Sequence, residues 1–160
     1  MGDISKLLDD GEISLSICSI LLSPVIKFLC NASPMECESF IYKHFGFMLH
    51  GNCSVEHRIL QCVAIQWLKE VGKEPQIEQW HNGKRVDTCS TDGEIIIECG
   101  DTNADVIPNH LLRTCESFYV LPFLDSWDDP YMFCFTKGKN WNSKKIEHSL
   151  IVDFSRFMTY

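Results

Sequence analysis

The chain is 160 residues long, with 45% hydrophobic residues, 22% charged residues and a formal net charge of −8. This length and balance predict one domain with a real core and exclude a disordered or membrane-spanning chain. The acidity argues against gripping nucleic acid with the whole surface, and the basic cluster Lys137, Lys139, Lys144 and Lys145 reads as a solvated loop.

The first apolar run, Ile13 to Cys30, is broken by Pro24 and Lys27. It lacks the ~20 clean apolar residues of a membrane span. Asp3, Asp9, Asp10 and Glu12 precede it, where a secretory signal carries positive charge. MGDISK also lacks the Ser or Thr that a myristoylation pattern needs. Helices are expected over about Leu15 to Leu29 and about Pro34 to Phe45, the second with Ser33 as its cap and Pro34 in its first turn. Residues 1–52 thus read as a helical N-terminal extension, punctuated by Gly46 and Gly51, and 53–160 as the core of the same domain.

Ser54 caps the next helix, whose apolar face includes Val55, Ile59, Cys62, Val63, Trp67 and Leu68, and Val71–Gly72 ends it. A strand is expected over Gln76 to Trp80, then a tight turn at Asn82–Gly83, then a strand over Lys84 to Cys89. Thr91-Asp92-Gly93 is a second turn. The strand Glu94 to Cys99 follows, with an Ile95-Ile96-Ile97 run suited to burial on both faces. After Pro108 the pattern predicts a helix to about Cys115 or Glu116. Strands then follow over Ser117 to Phe123 and Tyr131 to Thr136, and the last fifteen residues form a strand or helix. The order predicts an α/β fold with a mixed β-sheet sandwiched by helices.

The nine cysteines include no C-x-x-C pair, and several sit in apolar runs. A reducing, intracellular, cytoplasmic setting without disulfides is expected. Cys53 and His57 have C-x3-H spacing, which is half a zinc site; two further ligands would have to come from afar.

Chemistry concentrates between Arg85 and Asp101. Arg85, Asp87 and Cys89 share one strand face, and Ile96, Glu98 and Gly100 share another. A hairpin brings Asp87 near Glu98, and two close acids repel unless a cation or proton sits between them. A hard divalent ion with water in its remaining positions answers that need. Each acid also has a plainer reading. Glu98 suits a solvated strand end, Asp87 an ion pair with Arg85 or Lys84, and Glu56 the first turn of a helix. His57 reads as a helix-surface residue, and Trp67 and Trp80 as core.

Residues Ser54 to Gly100 resemble the core of the PD-(D/E)XK, or restriction-endonuclease-like, nuclease superfamily. The resemblance rests on Glu56, the helix ending in WLKEVG, Glu78, the Arg85-x-Asp87 spacing, and Glu98-Cys99-Gly100. It implies a helix, a three-strand meander, a helix and a strand. It implies Glu56, Asp87 and Glu98 as catalytic acids, with Asp87, Glu98 and the Cys99 carbonyl on magnesium or manganese. Glu78, Lys84 and Arg85 would support them, Arg85 by orienting Asp87 or meeting a phosphate. The chain departs from the pattern at Gly100, where the superfamily places the lysine that positions the attacking water. Lys84, Arg85, Asn103 and His110 are possible substitutes. The implied function is a metal-dependent nuclease, or a descendant that binds nucleic acid without cutting it. The alternative is a catalytically silent interaction module, a subunit or inhibitor docking on a protein.

Overall fold

The computed structural model describes the backbone of residues 4–45, 54–81 and 84–158. A short helix, α1 (Ile4–Asp9), leads into a strand, β1 (Ile13–Ser19), and then α2 (Pro24–Asn31) and α3 (Pro34–Phe45). The helix expected over Leu15 to Leu29 is therefore wrong in its first half, and the N-terminal region is not a purely helical extension. ISLSICS alternates with period two, which is a strand pattern. Pro24 starts the helix instead of interrupting it: it stands in the first turn of α2, and the Ser23 hydroxyl accepts the Ile26 N–H at 3.3 Å. Before α3, Ser33 and Glu36 cap each other reciprocally, Ser33 N–H to Glu36 Oε2 at 3.0 Å and Glu36 N–H to Ser33 Oγ at 3.4 Å. Gly46, Gly51 and Cys53 lie outside the described residues, as does the Asn82–Gly83 turn.

The helix α4 (Val55–Glu70) is the centre of one layer. Ser54 caps it by accepting the His57 N–H at 3.1 Å, and Val71 and Gly72 close it. Ten of its sixteen residues are buried, so it is covered by both the sheet and its neighbouring helices α2 and α3. Strands β2 (Pro75–His81), β3 (Lys84–Ser90) and β4 (Ile95–Cys99) form an antiparallel meander. The Thr91-Asp92-Gly93 turn is held by Asp92 Oδ1, which accepts from Ser90 Oγ at 2.6 Å and the Glu94 N–H at 3.0 Å. The crossover helix α5 (Val106–Arg113) then makes β5 (Ser117–Leu121) parallel to β4. β6 (Tyr131–Lys137) is antiparallel to β5, and β1 is antiparallel to β6. The chain ends in α6 (Ser143–Met158), a helix, with the Asn142 side chain accepting the Lys145 N–H at 3.1 Å.

The result is an α/β fold with one six-stranded mixed sheet in the order β1-β6-β5-β4-β3-β2. β4 is central and buried on both faces. Ile97 joins the core under α2 and α4, and Ile96 joins the opposite core under α5. Trp67 belongs to the first core, its ring centroid 4.7 Å from that of Tyr119. Trp80 does not: at the end of the edge strand β2 it is 71% exposed. Among the described residues no helix is long and apolar enough to cross a membrane. The eight described cysteines are all free thiols.

Candidate functional site

The site begins where the β3–β4 ladder ends. The β3–β4 register runs Cys89↔Ile96 and Thr88↔Ile97. Its next step is Asp87 opposite Glu98, and there side chains replace the backbone ladder. The Asp87 N–H donates to Glu98 Oε1 at 3.1 Å, and the Cys99 N–H donates to Asp87 Oδ2 at 2.8 Å. On the other side of β3 the β2 register skips the same step, passing from Ile77↔Thr88 to Gln79↔Val86. The skipped β2 residue is Glu78, with φ at +53°, a conformation that L side chains rarely adopt. Such backbone costs on the order of 1–3 kcal/mol and persists where the surroundings impose it.

The surroundings are a chain of polar contacts. Glu78 bridges two arginines, Arg58 at 3.1 Å and Arg85 at 2.5 Å. Arg58 is 1% exposed and donates to Gln61 Oε1 at 2.6 Å. Gln61 in turn donates to the Asp87 carbonyl at 3.0 Å. One turn earlier on α4, His57 Nε2 lies 3.2 Å from Asp87 Oδ1. The helix therefore fixes the Asp87 backbone through Gln61 and its carboxylate through His57.

The two acids have opposite electrostatics. Burial pushes the Asp87 carboxyl up, but hydrogen bonds from His57 and the Cys99 N–H outweigh it, and the net shift is downward. Burial and the neighbouring Asp87 charge both push Glu98 up, to about 8. Asp87 is the charged member and Glu98 the one that takes a proton when no cation is present. The Cys99 thiol is fully buried, and burial, then the charges of Asp87 and Glu98, raises it well above the ordinary thiol range. Only the backbone of Cys99 is placed to serve the site.

The remaining expected site residues lie elsewhere. Glu56 is exposed and lines a neighbouring cavity; among the described residues no hydrogen bond or ion pair joins it to Asp87 or Glu98. Arg85 engages Glu78, not Asp87, so it does not orient that carboxylate. Lys84 opens β3, and its side chain lies outside the described residues. Asn103 accepts the Asp105 N–H through its side chain in the loop before α5. His110 packs on the opposite face, 3.1 Å from Thr114 Oγ1 and stacked on Phe118. Gly100 has φ at +85°, and its N–H donates to the Leu121 carbonyl at 2.8 Å. A Cβ there would stand 2.6 Å from the Phe123 ring. The local fold demands glycine at this position.

His57, Arg58 and Gln61 are the participants that sequence reasoning did not assign. His57 was read as a surface residue, but it faces Asp87 at 19% side-chain exposure. Arg58 and Gln61 sit at i and i+3 inside a helix that is apolar on most sides. Two long polar residues on a buried stripe need partners, and that was the available signal. Of the Cys53–His57 spacing only His57 is described, and its Nε2 faces Asp87; Cys53 lies outside the described residues.

Among the described residues no group of three or more His, Cys, Asp or Glu is arranged to hold a metal ion. The oxygen donors at the ladder opening are the two carboxylates, while the Cys99 N–H is already spent on Asp87; such a set suits magnesium or manganese only if water fills most positions. No protein-family model matches the chain, and neither the curated proteins nor the solved structures contain a match to it.

Proposed function

We propose that this chain is a nuclease-like protein with a restriction-endonuclease-like core, acting on or binding nucleic-acid phosphodiesters with a divalent ion. The observation that carries the reading is the Asp87–Glu98 pair, placed side by side where the β3–β4 ladder opens and each tied to the other strand's backbone. The element order α4-β2-β3-β4-α5-β5 supports it, being the helix, meander, helix and strand that the resemblance implies. Asp87, Glu98 and the Cys99 carbonyl would hold magnesium or manganese, which when bound would polarise a phosphoryl oxygen and supply an activated water. His57 orients Asp87, its Nε2 standing 3.2 Å from the carboxylate. Gln61 and the Arg58–Glu78–Arg85 chain keep the Asp87 backbone in place.

The sealed Gly100 favours a slow or binding-only descendant, because no side chain at that position reaches a water or offsets transition-state charge. A second reading, a catalytically silent interaction module on the same fold, draws on the same sealed position and on the exposed edge strand β1. Ile17 on that strand is 68% exposed. The test is cleavage and binding of single-stranded DNA, duplex DNA and RNA with magnesium or manganese, using wild type and Asp87→Asn. Metal-dependent cleavage lost in Asp87→Asn supports the nuclease. Metal-dependent strand binding without cleavage supports the binding-only descendant. Neither cleavage nor binding at low salt, where phosphate contacts are strongest, sinks both and leaves the interaction module.

A further inference from the structure

A cavity of about 340 Å³ is walled in part by Val55, Glu56, Ile59, Leu60, Phe123 and Trp127, with Cys30 and Cys37 also in its lining. Two of its wall residues neighbour residues of the candidate site. Glu56 immediately precedes His57, which contacts Asp87. Phe123 lies on Gly100, one residue after the Cys99 N–H that binds Asp87. The volume is at the small end of ligand sites and suits one planar heterocycle with part of its sugar. The lining is mostly apolar, with two aromatic rings and a single exposed carboxylate.

We infer that this cavity is a pocket for one unstacked nucleobase, with guanine fitting best. The inference deepens the phosphodiester reading proposed above and rests on it. An aromatic-walled concavity takes a base only after it leaves its stack, so the strand presented is single-stranded or has a flipped nucleotide. Phe123 and Trp127 put two aromatic rings in the wall, and stacking on such a ring is worth roughly 1–3 kcal/mol to a base. Glu56 provides the selectivity. An ionised carboxylate only accepts, and its two oxygens match the adjacent N1–H and N2–H donors of guanine. Adenine and cytosine offer a single amino group beside an acceptor nitrogen, and uracil a single imino N–H. Glu56 also belongs to the first turn of α4, where Ser54 fixes the backbone. This gives Glu56 a binding role in place of the catalytic one that the superfamily resemblance implies.

The test is binding of 5′-GMP, 5′-AMP, 5′-CMP, 5′-UMP and ribose 5-phosphate to the full chain in EDTA, by calorimetry and saturation-transfer NMR. EDTA silences any metal at the acid pair, so the base alone is read. GMP is expected to bind about tenfold more tightly than the other nucleotides and to leave ribose 5-phosphate without measurable binding. Glu56→Gln is expected to cost GMP about tenfold, since the carboxylate's second acceptor becomes a donor. Phe123→Leu is expected to weaken all four nucleotides about equally, and it guards against a Glu56 effect that is only long-range charge. Equal binding of all five probes, or GMP binding untouched by both variants, overturns the pocket. The two readings fail separately. Strand cleavage without base selectivity overturns the pocket alone. Selective GMP binding by a chain that neither binds nor cuts strands supports the pocket and counts against the phosphodiester reading.

Discussion

Glu98→Gln tests the electrostatics of the site directly. In the fold, burial and the Asp87 charge hold Glu98 at about 8, against an ordinary value of 4.5. Between those values the folded protein keeps a proton that the unfolded chain has lost. Stability therefore falls as pH rises through this window, the direction set by proton linkage. At about 1.4 kcal/mol per decade the full gap is worth roughly 5 kcal/mol, and partial access of water to the carboxyl brings the expected loss to roughly 2–4 kcal/mol. Asp87 contributes with the opposite sign and at lower pH. Its folded value is depressed, so its contribution is present above the ordinary carboxylate range and is lost only on acidification.

Gln mimics the protonated Glu98 and keeps an acceptor for the Asp87 N–H. The assay is urea unfolding in EDTA at half-unit steps from pH 5 to pH 8.5, with wild type and Glu98→Gln compared. The two are expected to be equally stable near pH 5, and the variant more stable by roughly 2–4 kcal/mol near pH 8. Excess manganese at pH 8 should raise the stability of wild type and leave the variant nearly unchanged, because only the carboxylate pair rewards the ion. Parallel curves for the two proteins across the whole range would show that Glu98 ionises freely. The acids would then exert no strain on each other, and the case for an ion between them would go with it.

Gly100→Lys should destabilise by roughly 1–3 kcal/mol and add no cleavage. The backbone is left-handed there and the Phe123 ring occupies the Cβ position; a gain in rate would refute this. Arg58→Ala should cost roughly 3 kcal/mol in chemical denaturation, since it leaves Glu78 and Gln61 without their buried partner; a loss under 1 kcal/mol would show the network to be incidental. Thiol titration of denatured, unreduced protein should find at least eight free cysteines. In the native state most should react slowly near neutral pH, because burial pushes thiols such as Cys62 and Cys115 up to about 12; rapid reaction of all of them would contradict the packing.

The strands from β2 to β6 were legible because each is short, patterned and bounded by turn residues. Ile95-Ile96-Ile97 announced a strand buried on both faces, and the fold places Ile96 and Ile97 in opposite cores. β1 was hidden because its alternating ISLSICS merges without a turn into the apolar α2, and one long apolar run reads as one helix. Its burial runs against its pattern as well: at the sheet edge Leu15 and Ile17 are exposed while Ile13 is covered. Edge position also explains Trp80, since aromatic content gives no sign of which strand closes the sheet. The opposition of Asp87 and Glu98 was legible from turn length, but the shared face of Asp87 and Cys89 was not borne out: Val86 and Cys89 both join the core under α5, while Asp87 meets His57 on α4, because the strand is irregular beside Glu78. Arg58 and Gln61 were not legible, because a helix buried on nearly every side has no polar face against which they look out of place.

The charge arrangement around the pair narrows what the site is built to do. Arg58 and Arg85 are both engaged by Glu78, so their positive charge is spent on the neighbouring strand. Among the described residues, His57 is the one basic side chain in ion-pair range of Asp87, and it touches the Oδ1 edge only. Glu98 has no ion-pair partner among them. The Gly100 position, from which a cation would balance the pair, is closed by backbone conformation and by Phe123. For stability alone an amide at Glu98 would serve at least as well, because burial and the Asp87 charge already disfavour its ionised form. The pair lies beside Glu78, at positive φ on the next strand, and this is the setting in which the proposed ion site would be held. Under the proposed reading Asp87 and Glu98 would hold the ion, while Phe123, whose ring stands where a Gly100 side chain would be, walls the neighbouring cavity. Strand capture would then outlast fast hydrolysis, and loss of strand binding in Asp87→Asn would be the larger effect than loss of cutting.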